Sequence, residues 1–103
     1  MEFIIIQTTY PKLNQAQNLA QILLNQKLAA CVELKKIDSY YLWQEKIENS
    51  KEILVTIKTK KTLFQQIKRV IKKNHPYEVP QIFSVKIDEI SKEYLKWFNS
   101  NLK

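Results

Sequence analysis

The chain has 103 residues and a formal net charge of +7, from 17 basic and 10 acidic side chains. Its length suits a single domain over residues 1–103, and a hydrophobic share of 45% excludes a disordered chain. No apolar run approaches the ~20 residues that a membrane span requires, and residues 1–6 lack the basic start of a signal peptide. Because Cys31 is the single cysteine, an internal disulfide is excluded and a reducing compartment, the cytoplasm, is expected.

The positive charge comes almost entirely from lysine. Only Arg69 among the 17 basic residues is an arginine, and the chain contains no glycine. A surface built to read phosphates is expected to hold bidentate arginines, so this composition indicates a codon bias more than a nucleic-acid partner. We therefore expect neither a nucleic-acid nor a membrane partner. A nucleic-acid binder that uses the lysine face of the second helix stays an alternative, and its affinity would fall steeply with salt.

The first half of the chain predicts a strand, a helix and a long second strand. Residues 2–9 are apolar on both faces, which is typical of a strand in the centre of a sheet. Pro11 suits the first turn of a helix, and apolar residues at helical spacing extend that helix over about 12–27. Residues 29–43 predict a strand whose apolar residues change parity part of the way along. Because parity decides the face on which a side chain lies, this change predicts a bulge near residues 35–36.

The second half predicts a hairpin, a basic helix, a last strand and a short terminal helix. A turn at residues 44–45 leads into a strongly apolar strand, 52–58, and residues 60–74 show one apolar helical face opposite a lysine-rich one. Alternating apolar residues predict the last strand over 79–87, and residues 91–101 predict the final helix.

The order β-α-β-β-α-β predicts an α+β fold of the ferredoxin-like type, with one antiparallel sheet and two helices on the same face. Two helices cover only one side of the sheet, whereas the first and third strands are apolar on both sides. The short final helix is too small to bury the other side alone. We therefore expect other copies of the chain to bury that side, and the second strand, at the edge of the sheet, offers a route for pairing.

Two sequence features are more typical of residues that pack in the fold than of residues that bind or react. Cys31 follows small residues in a predicted strand, which is typical of a buried small hydrophobe; the alternative is a soft metal ligand or a redox thiol. The aromatic residues of 40–43 are more typical of packing or an interface than of a platform for nucleic-acid bases. The chain has no Cys-x-x-Cys, no ligand pair at helical spacing and no glycine-rich phosphate loop.

The end of the second helix carries the only histidine, His75. Asn74 can take the left-handed conformation that ends many helices, and a residue before Pro76 is disfavoured in a helix. The imidazole can either meet the free carbonyls at the helix end or act as a ligand in a stiff loop. Glu78 can accept a hydrogen bond from His75 or Tyr77, or remain solvated. An enzyme with Cys31, His75 and Glu78 in a cleft between subunits is a further alternative.

Three strings in this order carry a resemblance: LAACV at 28–32, YYLW at 40–43 and HPYEVP at 75–80. Together they resemble the CutA family, the divalent-cation tolerance proteins, and the match covers nearly the whole chain. The resemblance implies a ferredoxin-like fold and a tight homotrimer held through long hairpins, similar to the trimer of the PII signalling proteins. It also implies binding of copper or another divalent metal, a role in metal tolerance and no agreed catalytic activity. From it we expect a protein that is not an enzyme.

The resemblance also assigns residues. The trimer interface is expected at Tyr40, Tyr41 and Trp43. The copper ligands proposed for bacterial members correspond to Thr8, Asn74 and His75 of this chain. Of these, only His75 is a good ligand, because copper prefers imidazole and sulfur. The other candidates for a ligand pocket are Cys31, Tyr77 and Glu78.

One departure from the family concerns the hairpin turn. The glycine that usually follows the hairpin tryptophan is missing here, and Gln44 and Glu45 come directly after Trp43. Asparagine, aspartate and glycine are the residues that such turns prefer. The sequence therefore leaves the geometry of this turn open.

Overall fold

The computed structural model describes residues 1–103. The four strands are β1 (Phe3–Tyr10), β2 (Cys31–Trp43), β3 (Lys46–Lys60) and β4 (Phe83–Lys86). The helices are α1 (Leu13–Asn25), α2 (Phe64–Asn74), which a short 3₁₀ turn (Lys61–Leu63) precedes, and α3 (Lys92–Ser100). The sheet is antiparallel throughout in the order β2-β3-β1-β4, so the predicted α+β, ferredoxin-like fold is confirmed. None of the helices is both long and apolar enough to cross a membrane.

One face of the sheet, which we call the covered face, packs on α1 and α2. Side chains on this face alternate along β1 and β3, so that Ile6 and Ile57 are fully buried while their strand neighbours are less so. Leu19 and Ile67 bring the apolar faces of the two helices into the same cluster of 14 buried residues. Since each fully buried aliphatic side chain stabilises by about 1.5–3 kcal/mol, this cluster supplies the main driving force for folding.

Helix α1 ends with a left-handed residue that is not a glycine. Lys27 has φ 56°, the left-handed conformation that glycine usually supplies after a helix. The amide of Lys27 donates to the carbonyl of Leu24 over 3.1 Å, and the amide of Leu28 donates to the carbonyl of Leu23 over 2.9 Å. Leu23 and Leu28 are both fully buried. Together these bonds form a complete Schellman motif, which stops the helix and turns the chain toward β2.

The predicted bulge near residues 35–36 is wrong. Strands β2 and β3 pair one to one without interruption, from Cys31 opposite Lys58 to Trp43 opposite Lys46. Leu34 packs against the core, but Leu42, eight residues further along the same face, is 73% exposed. The change of apolar parity therefore marks where the hairpin passes beyond the helices. It does not mark a break in the strand.

The hairpin keeps a tight two-residue turn. Gln44 and Glu45 have φ values of 51° and 68°. Positive φ at both central residues is what a type I′ turn requires, and this turn matches the right-handed twist of the strands. Side chains with a Cβ atom tolerate this conformation less well than glycine or asparagine do, so the turn is locally strained.

Two predictions after α2 also need correction. Asn74 does not take a left-handed cap; it remains the last helical residue, and its side-chain amide donates to the carbonyl of Val70 over 3.2 Å. His75 ends the helix with φ −85° and ψ 133°, the extended conformation expected before Pro76. The last strand is four residues long instead of covering 79–87, because residues 76–79 form bends and Pro80 has no amide hydrogen to donate to a neighbouring strand.

The opposite face of the sheet, which we call the open face, is formed by odd-numbered residues of β1, β2 and β4 and even-numbered residues of β3. Helix α3 covers one end of it: Phe98 is fully buried and meets the ring of Phe3 edge-on, with centroids 5.2 Å apart. Further along, Phe83 and Val85 are 42% and 54% exposed. The chain by itself therefore leaves much of this face uncovered.

Candidate functional site

The open face carries a cleft of about 800 Å³ between the outer half of the β2–β3 hairpin and the loop after α2. This volume lies within the range of small-molecule sites. The hairpin and the loop supply aromatic and acidic side chains to it, chiefly Tyr41, Trp43, Glu48, Glu52, Tyr77 and Glu78. The cleft thus brings together two of the segments that the sequence singled out, residues 40–43 and 75–80.

His75 is fixed at the back of this loop by both of its ring nitrogens. Nε2 donates to the backbone carbonyl of Thr9 over 2.6 Å, and Nδ1 accepts from the amide of Tyr77 over 3.1 Å. Because a carbonyl only accepts and an amide only donates, the ring is the neutral tautomer with its proton on Nε2. The ring also stacks on Tyr10, with centroids 4.3 Å apart. In this arrangement neither nitrogen has a free lone pair.

Burial holds the pKa of His75 below its usual value, because the charged imidazolium loses solvation. The hydrogen bond to the carbonyl of Thr9 and the negative charge of Glu52 act in the opposite direction but do not outweigh burial. The neutral ring that the hydrogen bonds require is therefore also the form that the surroundings favour at neutral pH.

Glu52 and Tyr77 join the hairpin to the loop. The Tyr77 hydroxyl donates to Oε2 of Glu52 over 2.8 Å, and Glu52 as a whole is only 8% exposed. Burial, together with the bond to Glu52 and the charge of that carboxylate, raises the pKa of Tyr77 far above its usual value. Sequence reasoning missed Glu52. The available signal was a carboxylate at the start of a mostly apolar strand, at 52–58.

Thr8 and Asn74 do not join His75 in one site. Thr8 points to the covered face, is fully buried, and its Oγ1 has no hydrogen-bond partner. Asn74 is exposed at the helix end, where its amide is bonded to Val70. No group of three or more His, Cys, Asp or Glu side chains is placed to hold a metal ion. The three positions that the resemblance assigns to copper therefore do not form a copper site within one chain.

Cys31 lies at the other end of the open face. It is partly exposed and pairs with Lys58 across β2 and β3, whereas Thr9, which holds His75, pairs with Leu54. Lys58 and Leu54 are four residues apart, or ~13 Å along the strand. The pair of Cys31 and His75 needed for nucleophilic catalysis is therefore not formed within one chain.

Lys58 is already engaged beside Cys31. Its ammonium lies 3.2 Å from a carboxylate oxygen of Glu33 and 5.8 Å from the centre of the Tyr94 ring. Burial lowers the pKa of Lys58, but the hydrogen bond and the charge of Glu33 outweigh this effect and raise the pKa overall. The cation is thus paired with Glu33.

The aromatic residues that the resemblance assigns to an interface are accessible in the single chain. Tyr40 is 73% exposed, and Tyr41 and Trp43 are 43% and 48% exposed. The Tyr41 hydroxyl is hydrogen-bonded to the Ser50 hydroxyl across the hairpin, at 2.8 Å. This bond fixes the orientation of Tyr41 at the edge of the cleft.

Comparison with known proteins agrees with this fold. Residues 4–101 match the family described as CutA1 divalent ion tolerance protein. The divalent-cation tolerance protein CutA of Pyrococcus horikoshii is 37% identical over 100 residues, which cover 97% of this chain and 98% of that protein.

Solved structures show the same architecture. The periplasmic divalent cation tolerance protein CutA of Archaeoglobus fulgidus superposes with a TM-score of 0.95 at 34% identity, covering 98% of this chain and 99% of that one. CutA1 of Oryza sativa superposes with a TM-score of 0.95 at 31% identity, covering 100% and 95%. Since the Archaeoglobus protein is described as periplasmic, the cytoplasmic location expected here stays a prediction. By sequence and by structure, the chain belongs to the CutA1 divalent ion tolerance family.

Proposed function

We propose that this protein acts in divalent-cation tolerance as a homotrimer, and that the trimer, not the single chain, is the functional unit. The observation that carries this proposal is the open face of the sheet, where Phe83, Val85, Tyr41 and Trp43 remain exposed. Monomeric proteins rarely leave a broad apolar surface of this kind uncovered. Three is the number of copies that the family resemblance implies. The proposal assigns no catalytic step.

The two edges of the sheet provide two different surfaces through which three subunits could form a closed ring. A cyclic trimer needs two different surfaces on each chain, because each subunit contacts its neighbours head to tail. Strand β2 forms one edge over 13 residues, and the four-residue β4 forms the other. Pairing of the free edge of β2 with a neighbour would satisfy its backbone groups and would bring the hairpin aromatics against that neighbour.

Copper is the metal that the resemblance implies, but the inherited positions fit it poorly. Thr8 faces the core, the amide of Asn74 is bonded within its own helix, and both nitrogens of His75 are engaged. Binding through His75 requires Nδ1 to release the amide of Tyr77. We therefore expect weak cupric binding that depends on His75, and monovalent copper to prefer the softer thiolate of Cys31.

A titration of the wild type and two variants with cupric ion tests the metal part of the proposal. The assembled wild type, His75→Ala and Cys31→Ser are compared by calorimetry at several pH values. Cupric binding should be lost in His75→Ala and kept in Cys31→Ser. It should also weaken as the pH falls through the lowered pKa of His75, below ~6.5, because a protonated imidazole has no lone pair to donate. Equal cupric affinity in the wild type and His75→Ala would mean that His75 holds no metal in this protein.

A further inference from the structure

We propose that the outer surface of α2 binds the phosphate backbone of a nucleic-acid duplex without reading its sequence. This surface is formed by Lys68, Arg69, Lys72 and Lys73, and we call it the basic surface. Helix α2 packs on the covered face of the sheet, so the basic surface lies on the opposite side of the molecule from the open face. The proposal therefore holds whether or not other copies bury the open face, and it goes beyond the role in divalent-cation tolerance.

The four cations lie on one side of the helix. Ile67 and Ile71 are fully buried on the side of α2 that meets the sheet. With 3.6 residues per turn, positions 68, 69, 72 and 73 fall on the other side. Three of these side chains are exposed and the fourth, Lys68, is half-buried. The basic surface is therefore a continuous stripe that a long anion can reach from solvent.

No carboxylate balances the basic surface. None of its four cations forms a salt bridge, and no acidic residue occurs in the chain between Glu52 and Glu78. Helix α1, the other helix of the same layer, has no charged residue at all from Leu13 to Asn25. The outer side of this layer is thus positive without compensation from the protein, and such a surface attracts anions.

The spacing of these cations adds repulsion within α2. Lys68 lies four residues before Lys72, and Arg69 lies four residues before Lys73. Like charges at this spacing destabilise a helix. The helix dipole favours cations in the last turn, which accounts for Lys72 and Lys73 but not for the two cations one turn earlier. A polyanion bound along the helix would relieve this repulsion.

The chemistry of the basic surface favours a duplex backbone over a single strand or a membrane. None of the large hydrophobic side chains that are exposed in this chain lies on α2. Single strands are held by stacking their bases on aromatic rings, and amphipathic helices bind membranes by inserting apolar side chains. Contacts to the phosphates of a duplex need only cations and polar groups.

The placement of the charges adds to what the composition indicated. A codon bias determines whether lysine or arginine supplies a charge, but it does not collect the charges on one helix. The structure therefore favours the alternative in which the lysine face of α2 meets nucleic acid, and the only arginine of the chain, Arg69, lies there too. Because lysine binds phosphate as a point charge and lacks the fork that reads a base, we expect binding without sequence preference.

Fluorescence anisotropy of a labelled, mixed-sequence DNA duplex tests the proposal, by titration with the native protein at several salt concentrations. The double variant Arg69→Gln with Lys73→Gln removes two exposed cations from the basic surface. The matched control is Lys92→Gln with Lys96→Gln. It removes two exposed cations at the same spacing from α3, a helix that also carries Glu93. Because all four side chains are exposed, both double variants should fold.

We expect the wild type to bind the duplex saturably at physiological salt and to bind unrelated sequences equally well. The basic-surface variant should bind roughly tenfold more weakly, because two phosphate contacts are lost. For the same reason, the slope of log affinity against log salt should become shallower by about 2. The control variant should bind as the wild type does.

Several outcomes would overturn the proposal. Absence of saturable binding is one, and equal losses in the two double variants are another, since the attraction would then come from the net charge of the chain. Binding to vesicles that contain anionic lipid in place of the duplex would contradict it, as would tighter binding of a single strand. The titration involves neither metal nor His75, so its failure leaves the proposed function untouched, and the reverse also holds.

Discussion

The two faces of the sheet differ in what completes them. On the covered face, α1 and α2 of the same chain bury Ile6, Val55 and Ile57 completely. On the open face, α3 covers one end, while Phe83 and Val85 stay about half exposed beside an acidic, aromatic cleft. The covered face makes the fold, and we propose that other copies of the chain complete the open face.

The largest expected effect is on the free energy of unfolding, and it differs between a buried and an exposed leucine of α1. Leu19→Ala removes a side chain that is 1% exposed and should cost about 2–5 kcal/mol in the free energy of unfolding. Leu24→Ala, at 44% exposed on the same helix, should cost less than about 1 kcal/mol. Denaturant unfolding measures both. Similar losses in the two variants would mean that the covered face is not the main source of stability.

The next largest effect is on self-association through the open face. Trp43→Ala should weaken self-association by about 2 kcal/mol or more, because aromatic anchors dominate many interfaces. Sedimentation over a range of concentrations measures this change. The matched control is Leu13→Ala, 43% exposed at the start of α1 and away from the open face, which should assemble as the wild type does. A Trp43→Ala variant with unchanged mass and melting would place the interface elsewhere.

A smaller effect is expected where the loop meets the hairpin. Tyr77→Phe removes the hydrogen bond to Glu52 and should destabilise the protein by about 1–2 kcal/mol. Tyr94→Phe, at a residue that is 38% exposed and whose hydroxyl makes no hydrogen bond, is the control and should have almost no effect. If thermal unfolding shows equal shifts for the two variants, the bond from Tyr77 to Glu52 does not stabilise the loop.

The hairpin turn offers a gain in stability. Replacing Gln44 and Glu45 by Asn-Gly should stabilise the protein by about 1 kcal/mol, because both positions have positive φ and Asn-Gly is preferred there. Thermal unfolding measures the gain. Loss of stability in this double variant would show that the Gln44 or Glu45 side chain makes a contribution larger than the strain.

The smallest expected effect is a dependence of stability on pH that arises from His75, the only histidine of the chain. Its pKa is lower in the folded protein than in the unfolded chain, so the unfolded state binds more protons at mildly acidic pH. The stabilisation is complete above pH ~6.5 and is lost as the pH falls through the lowered pKa. His75→Gln should flatten this part of the stability profile. Parallel profiles for the two proteins would contradict the assignment.

The covered face was predictable from the sequence because side chains buried by the chain's own helices recur at a regular spacing. The apolar runs of β1 and β3 and the apolar stripes of α1 and α2 all mark residues that pack in this one layer. The same spacing led to the wrong prediction of a bulge near residues 35–36. A change of parity looks the same whether the strand bulges or continues beyond its helices, and only the register with β3 distinguishes these cases.

The cleft was predictable only in part. The strings around Tyr41 and Tyr77 marked its two walls, but nothing local connects them, since they are far apart in the sequence. Glu52 was missed because its burial depends on Tyr77, 25 residues further along the chain. Likewise, no sequence pattern states that Thr8 points into the core while the carbonyl of Thr9 binds His75.

If other copies of the chain complete the open face, the protein should be a trimer in solution. Light scattering coupled to size exclusion at micromolar concentration measures its mass. We expect about 37 kDa, three times the 12.3 kDa of the chain. A stable species of 12.3 kDa under these conditions would contradict it, because the open face would then be exposed to solvent in the native protein.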